Sequence, residues 1–196
     1  IAYAPASVGD VTNDDRVDWS AAWNLFEGDV AYTWSPSGDH VIETGQALRS
    51  AGFEVRAMCV WKKPSFAISR GHYHYGHEPC WYAVRKGRKS QWTGDRSQST
   101  VWEIPRDSLV GGYSTTKPVE CMARPIRNHG AQGDIIYDPF LGSGTTVIAA
   151  EHEGRICFGI EIEPAYVDVS VLRWQDAIGK EAVLDDDGRT FDEVAT

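Results

Sequence analysis

The sequence predicts an α/β fold, a parallel sheet with helices on both faces, and three observations predict it. Strand-like apolar runs alternate with helical patterns along the chain. A strand running into a glycine turn and then a helix occupies residues 134–153. A second strand and helix follow at once, over 155–178, as a right-handed crossover unit requires. With 196 residues and 42% hydrophobic content, the chain suffices for one domain with a sizeable core and is short for two.

Taken in order, Asp29 to Trp34 reads as a buried strand closed by the turn signal Ser35-Pro-Ser-Gly38. From Asp39, the residues Val41, Ile42, Ala47, Leu48 and Ala51 recur at roughly helical spacing, and Gly52 supplies the stop. Phe53 to Trp61 is the next strand, and another is expected around Pro79 to Val84. Residues 85–112 are polar and irregular and read as loop. A helix begins near Pro118, a residue acceptable in a first turn, and carries Val119, Met122 and Ile126. Asp134–Asp138 is then a strand, Leu141–Gly144 a turn, Thr145–Glu153 a helix, Arg155–Glu161 a strand and Pro164–Ile178 a helix. Residues 181–196 form an acidic tail, leaving one domain over 1–180.

The net charge of −9 argues at first against nucleic acid, whose affinity comes largely from Lys and Arg. The distribution of the charge points the other way. Between Arg56 and Arg96 nine basic residues face two acids, a local charge of +7, with Trp61, Tyr73, Tyr75, Trp81, Tyr82 and Trp92 interleaved. Aromatic faces beside cations suit unstacked bases; the plainer alternative is a solvated basic surface. No apolar run approaches the roughly 20 residues of a membrane span, and no signal core precedes the domain, so a soluble, cytoplasmic protein is expected. Cys59, Cys80, Cys121 and Cys157 lie far apart with no C-x-x-C pair, which speaks against a zinc site or a disulfide framework. No metal is expected.

The glycine turn carries the chemistry. A strand–turn–helix junction presents free backbone N–H groups and a positive helix end to a ligand. Glu161, seventeen residues after Gly144 at the end of the next strand, can accept both hydroxyls of a ribose. A nucleoside-bearing cofactor is therefore expected. A Walker loop is excluded because no Gly-Lys-Ser/Thr follows, and a nicotinamide dehydrogenase is disfavoured because G-x-G-x-x-G is not completed.

The longer strings are more specific. Asp138-Pro-Phe-Leu-Gly-Ser-Gly-Thr-Thr146 resembles the S-adenosylmethionine (SAM) motif of the N6-adenine and N4-cytosine DNA methyltransferases, and Gly159-Ile-Glu-Ile-Glu-Pro-Ala-Tyr166 resembles the strand and helix after it. Tyr113-Ser-Thr-Thr-Lys-Pro-Val-Glu120 is similar to the family's H-x-T-x-K-P-x-E segment, with Tyr113 in place of His and Thr116 in place of Gln. The resemblance implies a Rossmann-like SAM-dependent methyltransferase sheet in permuted motif order, with a catalytic and target half over 1–111 and a SAM-binding half over 112–180. It also implies cofactor roles for Thr115 and Lys117 at the methionine end, Phe140, Gly142, Ser143, Gly144 and Thr145 around the cofactor, Asp138 fixing the turn, and Glu161 on the ribose. A helix cap at Thr115 and a solvated Lys117 are the alternatives. Double-stranded DNA is the implied partner; a homodimer or a specificity subunit is left open.

In that family an Asp-Pro-Pro-Tyr or Ser-Pro-Pro-Tyr segment ends a strand, accepts the amino hydrogens of the flipped base and stacks on it. No such tetrapeptide occurs in residues 1–196. Ile1-Ala2-Tyr3 resembles what commonly follows it, so the chain reads as cut just after its catalytic motif, with an N-terminal strand missing and the catalytic residues unassigned. Ser35-Pro-Ser-Gly38 lacks the second proline and the aromatic ring, and a turn explains it fully. The Pro79-Cys80 dipeptide of a cytosine-C5 enzyme would stand in the wrong order, and a buried structural thiol fits Cys80 better. His77-Glu-Pro-Cys80, with Val60-Trp-Lys-Lys63, resembles the target-base side of the adenine-modifying members. Trp61, Lys63, His77 and Glu78 are therefore expected to face the DNA cleft, a structural His–Glu pair being the alternative. The leading expectation is an adenine-N6 methyltransferase domain inactive by itself. Its rivals are a non-catalytic SAM- or DNA-binding subunit and a nicotinamide-binding oxidoreductase.

Overall fold

The computed structural model describes residues 19–68, 72–107 and 116–194. In chain order they form α1 (Ser20–Leu25), β1 (Val30–Trp34), α2 (Asp39–Ser50), β2 (Phe53–Ala67), β3 (Tyr75–Arg85), β4 (Val101–Glu103), α3 (Val119–Asn128), β5 (Ile135–Asp138), α4 (Thr145–His152), β6 (Ile156–Gly159), α5 (Pro164–Ile178) and α6 (Phe191–Val194). Within the tail, Val183 bridges to Thr190 ahead of α6. Among the described residues no helix is long and apolar enough to cross a membrane.

The strands fall into a four-stranded sheet, ordered β1-β3-β2-β4, and a two-stranded sheet, β5-β6. The expected parallel sheet is found to be mixed: β3 runs antiparallel to both β1 and β2, while β2/β4 and β5/β6 are parallel. The reason is connection length. Between Ala67 and Tyr75 there is room for a hairpin and none for the crossover that parallel neighbours need. Both strands also run longer than their apolar patterns, because the pairing continues past Trp61 to Lys62↔His77 and Ala67↔Tyr75 across a bulge. A second correction falls in the stretch read as loop: Val101–Glu103 pairs with Val60–Lys62 as β4.

Three groups of side chains bury the apolar faces. Leu48 of α2 and Ala51 just after it pack on Ala31, Phe53 and Ala83 of the larger sheet. Cys59, Trp61, Cys80, Trp102 and Ile104 form a second cluster with Cys121 of α3. Ala123 and Ile126, also of α3, pack on Ala149 and Ala150 of α4 in a third, beside Ile136 and Cys157 of β5 and β6. One helix thus ties the two sheets together. Burial pushes the thiol of Cys59 up to about 11 and that of Cys121 up to about 12, and holds Cys80 well above the ordinary 9.0. Such thiols are poor nucleophiles at neutral pH.

His129, just past α3, is bonded at both ring nitrogens: Nδ1–H donates to the Ser90 carbonyl at 2.6 Å, and Nε2 lies 3.0 Å from the Tyr32 hydroxyl. Burial lowers its pKa below the ordinary 6.5, partly offset by the bond to Ser90. The unfolded chain therefore takes up this proton first as pH falls, so the contribution to stability is complete above about 6.5 and declines below it. Thermal unfolding is expected to show Tm falling as pH drops below about 6.5, less steeply in His129→Gln.

Candidate functional site

The carboxyl ends of β5 and β6 build the site. Asp138, the last residue of β5, accepts the Phe140 backbone N–H at 3.0 Å on one oxygen and the Thr146 hydroxyl at 2.5 Å on the other, clasping the turn between strand and α4. The turn needs glycine twice: Gly142 has φ 56° and Gly144 has φ 81°. At Gly144 a Cβ would meet the Ser170 Cβ at 2.6 Å, so α5 lies directly against the turn. Glu161 accepts the Gly142 N–H at 2.7 Å and the Glu163 N–H at 2.9 Å, one on each oxygen. Each oxygen keeps a lone pair for a further donor, as a ribose would require. Phe140 stands 44% exposed, its ring 4.6 Å edge-on from Trp19.

The segment ahead of α3 closes the other side. Thr116 and Ser143 place their hydroxyls 3.3 Å apart, and the Thr145 hydroxyl reaches the Lys117 carbonyl at 3.5 Å. Lys117 extends its ammonium to Glu78 at 3.1 Å and over the Trp34 ring at 5.1 Å from its centroid. Thr115 lies outside the described residues. Sequence reading missed Arg173 of α5, which donates to the Ser143 carbonyl and, at 2.9 Å, to the Ser143 hydroxyl. It also missed Ile160 and Ile162, both exposed beside Glu161 in the same cavity. Only the alternation of apolar and acidic residues in Gly159–Glu163 hinted at the two isoleucines.

Of the four residues expected to face the DNA cleft, the structure buries one. Trp61 is 2% exposed and its indole N–H donates to the Ile104 carbonyl at 2.8 Å, so its ring is core and not cleft wall. The apolar rows of β2 and β4 enclose it, a long-range pairing that local sequence does not reveal. Lys63 and Glu78 pair with each other at 2.8 Å. His77 is exposed on β3. Burial opposes ionisation of Glu78, but Lys117 and Lys63 outweigh it and hold its carboxyl below the ordinary 4.5. Among the described residues no group of His, Cys, Asp and Glu is placed to hold a metal ion.

Asp138, Phe140, the glycine turn, Glu161, Thr116 and Lys117 open onto one cavity of about 1360 Å³, whose lining does not include Trp61, Lys63, His77 or Glu78. Its walls include the glycine turn, Glu161, Lys117, the Val30–Trp34 edge of the larger sheet and the Ile135–Asp138 edge of the smaller. A glycine turn at the carboxyl end of one strand, with an acid ending the next, defines a Rossmann-like nucleotide-cofactor protein.

Comparison narrows the class. The family described as DNA methylase, of the N6/N4 methyltransferase type, matches residues 19–172, and the chain belongs to it. It is 32% identical over 146 residues to the type II methyltransferase M.Cfr9I of Citrobacter freundii, covering 66% of this chain and 47% of that protein. It is 27% identical over 175 residues to the type II methyltransferase M2.MboI of Moraxella bovis, covering 81% and 64%. The chain thus spans about half to two-thirds of the length of these relatives. Among solved structures, the fold matches the M1.HpyAVI–SAM complex with TM-score 0.71 and 24% identity, covering 84% of this chain and 85% of that one. It also matches the cytosine-N4-specific PvuII DNA methyltransferase with TM-score 0.62 and 17% identity, covering 81% and 64%.

Proposed function

We propose that this domain binds SAM and DNA in an amino-group DNA methyltransferase acting on adenine N6, and that an Asp-Pro-Pro-Tyr-type segment absent from residues 1–196 is needed for the chemistry. The single observation that carries the reading is the shared cavity. Its 1360 Å³ exceeds the roughly 300–1,000 Å³ of an ordinary ligand pocket. It also joins the glycine turn to two sheet edges, β1 and β5, each of which pairs with one neighbour among the described residues, β3 and β6 respectively. A strand laid between those edges would complete both ladders and bring its end beside the turn. In the cavity wall the Trp23 indole N–H and the Thr33 hydroxyl are buried without a hydrogen-bond partner among the described residues, which suits a site meant to receive more atoms.

The residues fit the cofactor. Glu161 would take the ribose hydroxyls, Ile162 and Phe140 would cover the adenine, and Lys117 would meet the methionine carboxylate. When bound, SAM supplies an electrophilic methyl group. The chain's part is to fix that methyl's position with a turn braced by Asp138, Glu161 and Arg173 before any base arrives. Residues 1–111 make the target half and 112–180 the cofactor half. Adenine is favoured by the His77-Glu-Pro-Cys80 and Val60-Trp-Lys-Lys63 strings.

On the target side, the β2–β3 ribbon exposes Phe66, Ile68, Tyr73 and His77 beside Lys62. Base–aromatic stacking is worth about 1–3 kcal/mol per base. The double substitution Phe66→Ala and Tyr73→Ala is expected to weaken DNA binding by about tenfold or more and leave SAM affinity unchanged, as read by fluorescence anisotropy and calorimetry.

The reading is tested by transfer of labelled methyl from SAM to unmethylated DNA, with the modified base identified by mass spectrometry. The 196-residue chain is expected to bind SAM and transfer nothing, and to label adenine N6 once an Asp-Pro-Pro-Tyr-type segment is supplied to it. Label from the chain alone would overturn the requirement for that segment, and label on cytosine N4 would overturn the choice of base.

A further inference from the structure

Lys117 lines the cofactor cavity on a flexible four-carbon stem, yet its ammonium is held from two sides. Glu78 Oε2 takes it at 3.1 Å, and the Trp34 ring lies beneath it at 5.1 Å. The other oxygen of Glu78 takes Lys63 at 2.8 Å. The three side chains are only 11%, 30% and 25% exposed for Lys63, Glu78 and Lys117, so salt screens them weakly. They come from β2, β3 and the segment ahead of α3.

We propose that Glu78 is a positioning residue for the amino-acid end of the cofactor: its carboxylate bridges Lys63 and Lys117 and aims the Lys117 ammonium at the cavity. The proposal rests on the reading that Lys117 meets the methionine carboxylate. An ammonium has three donors, of which Glu78 uses one, leaving others for an entering carboxylate. The trio carries a net +1, so an anion is still attracted. Without Glu78 the two lysines would repel each other, and the Lys117 side chain would have to be ordered at the moment of binding. Burial alone would disfavour the Glu78 anion, and the two ammonium groups more than restore it, so at neutral pH the bridge is ionic. The same contact ties the target half to the cofactor half.

The test titrates the full chain, as wild type, Glu78→Gln, Lys117→Met and the double variant, with SAM and with 5′-methylthioadenosine. The second ligand keeps the nucleoside and sulfur but lacks the amino-acid end. Glu78→Gln is expected to weaken SAM by about tenfold, to leave methylthioadenosine unchanged, and to have no further effect in the Lys117→Met background. Glu78→Asp, which keeps the charge and loses one methylene of reach, is expected to weaken SAM by a smaller factor and serves if Glu78→Gln fails to fold. A merely structural role would weaken both ligands together and would overturn the proposal, as would tighter SAM binding by Glu78→Gln. If Lys117→Met loses its preference for SAM and neither Glu78 variant does, the Lys117 reading stands and the Glu78 proposal fails. If Lys117→Met leaves the ratio of the two affinities unchanged, the Lys117 reading is itself overturned.

Discussion

Replacing Glu161 by alanine is expected to weaken SAM binding by about 100-fold. The carboxylate sits two residues past the end of β6 and already accepts two backbone N–H groups, those of Gly142 and Glu163, at 2.7 and 2.9 Å. The residue lines the cavity, and on the proposed reading two ribose hydroxyls would donate to its remaining lone pairs. Hydrogen bonds to a charged group are each worth about 1.5–3 kcal/mol, and roughly 1.4 kcal/mol is tenfold in affinity, so losing two gives that factor. The turn also loses its brace, and Tm is expected to fall by a few degrees, on the order of 1 kcal/mol of stability. Glu161→Gln keeps an oxygen acceptor and is expected to lose only about tenfold. Calorimetric titration with SAM separates the two variants. Equal affinities in wild type and Glu161→Ala would remove the ribose assignment.

Gly144→Ala is expected to produce a large loss of stability. The residue holds φ 81°, a left-handed conformation that costs a non-glycine residue roughly 1–2 kcal/mol. Its new Cβ would also stand 2.6 Å from the Ser170 Cβ and 2.9 Å from the Ser170 Cα, and overpacking of that kind costs about 1–3 kcal/mol. A total near 3 kcal/mol lowers Tm by about 6–12 °C in a chain of this size. Thermal unfolding by circular dichroism reads it directly. Ser170→Gly should recover part of the loss by removing one of the two clashing atoms, and the backbone strain should remain. Because α5 also carries Arg173, which braces Ser143, SAM affinity is expected to fall with stability. A Tm within a degree or so of wild type would show that the turn tolerates a side chain and that α5 does not pack on it as described.

What could be read from the sequence was what local chemistry determines. Helix α5 runs over Pro164–Ile178 in sequence and structure alike, because Pro at its first position and Gly179 after its end mark both limits within the segment itself. The Asp138 to Thr146 turn was readable for the same reason: its glycines, acid and hydroxyls act on neighbours a few residues away. Long-range pairing was not readable. The polar stretch holding Val101–Glu103 gains its strand only from β2, and Trp61 is buried only because Trp102 and Ile104 come to cover it from about forty residues downstream. An aromatic residue in a basic segment reads as a DNA contact until the strand beside it is known. Arg173 was invisible for a related reason, since an arginine on a helix face says nothing about which turn it will reach. The Lys117–Glu78 contact joins β3 to the segment ahead of α3 and likewise required the fold.

The most direct test of the cofactor site is calorimetric titration of the 196-residue chain with SAM and, separately, with NAD. Saturable binding of SAM at one site per chain is expected, with no heat from NAD. Binding of NAD in its place, or no binding of SAM by a chain that unfolds cooperatively on heating, would overturn the assignment of the glycine turn and Glu161 to this cofactor.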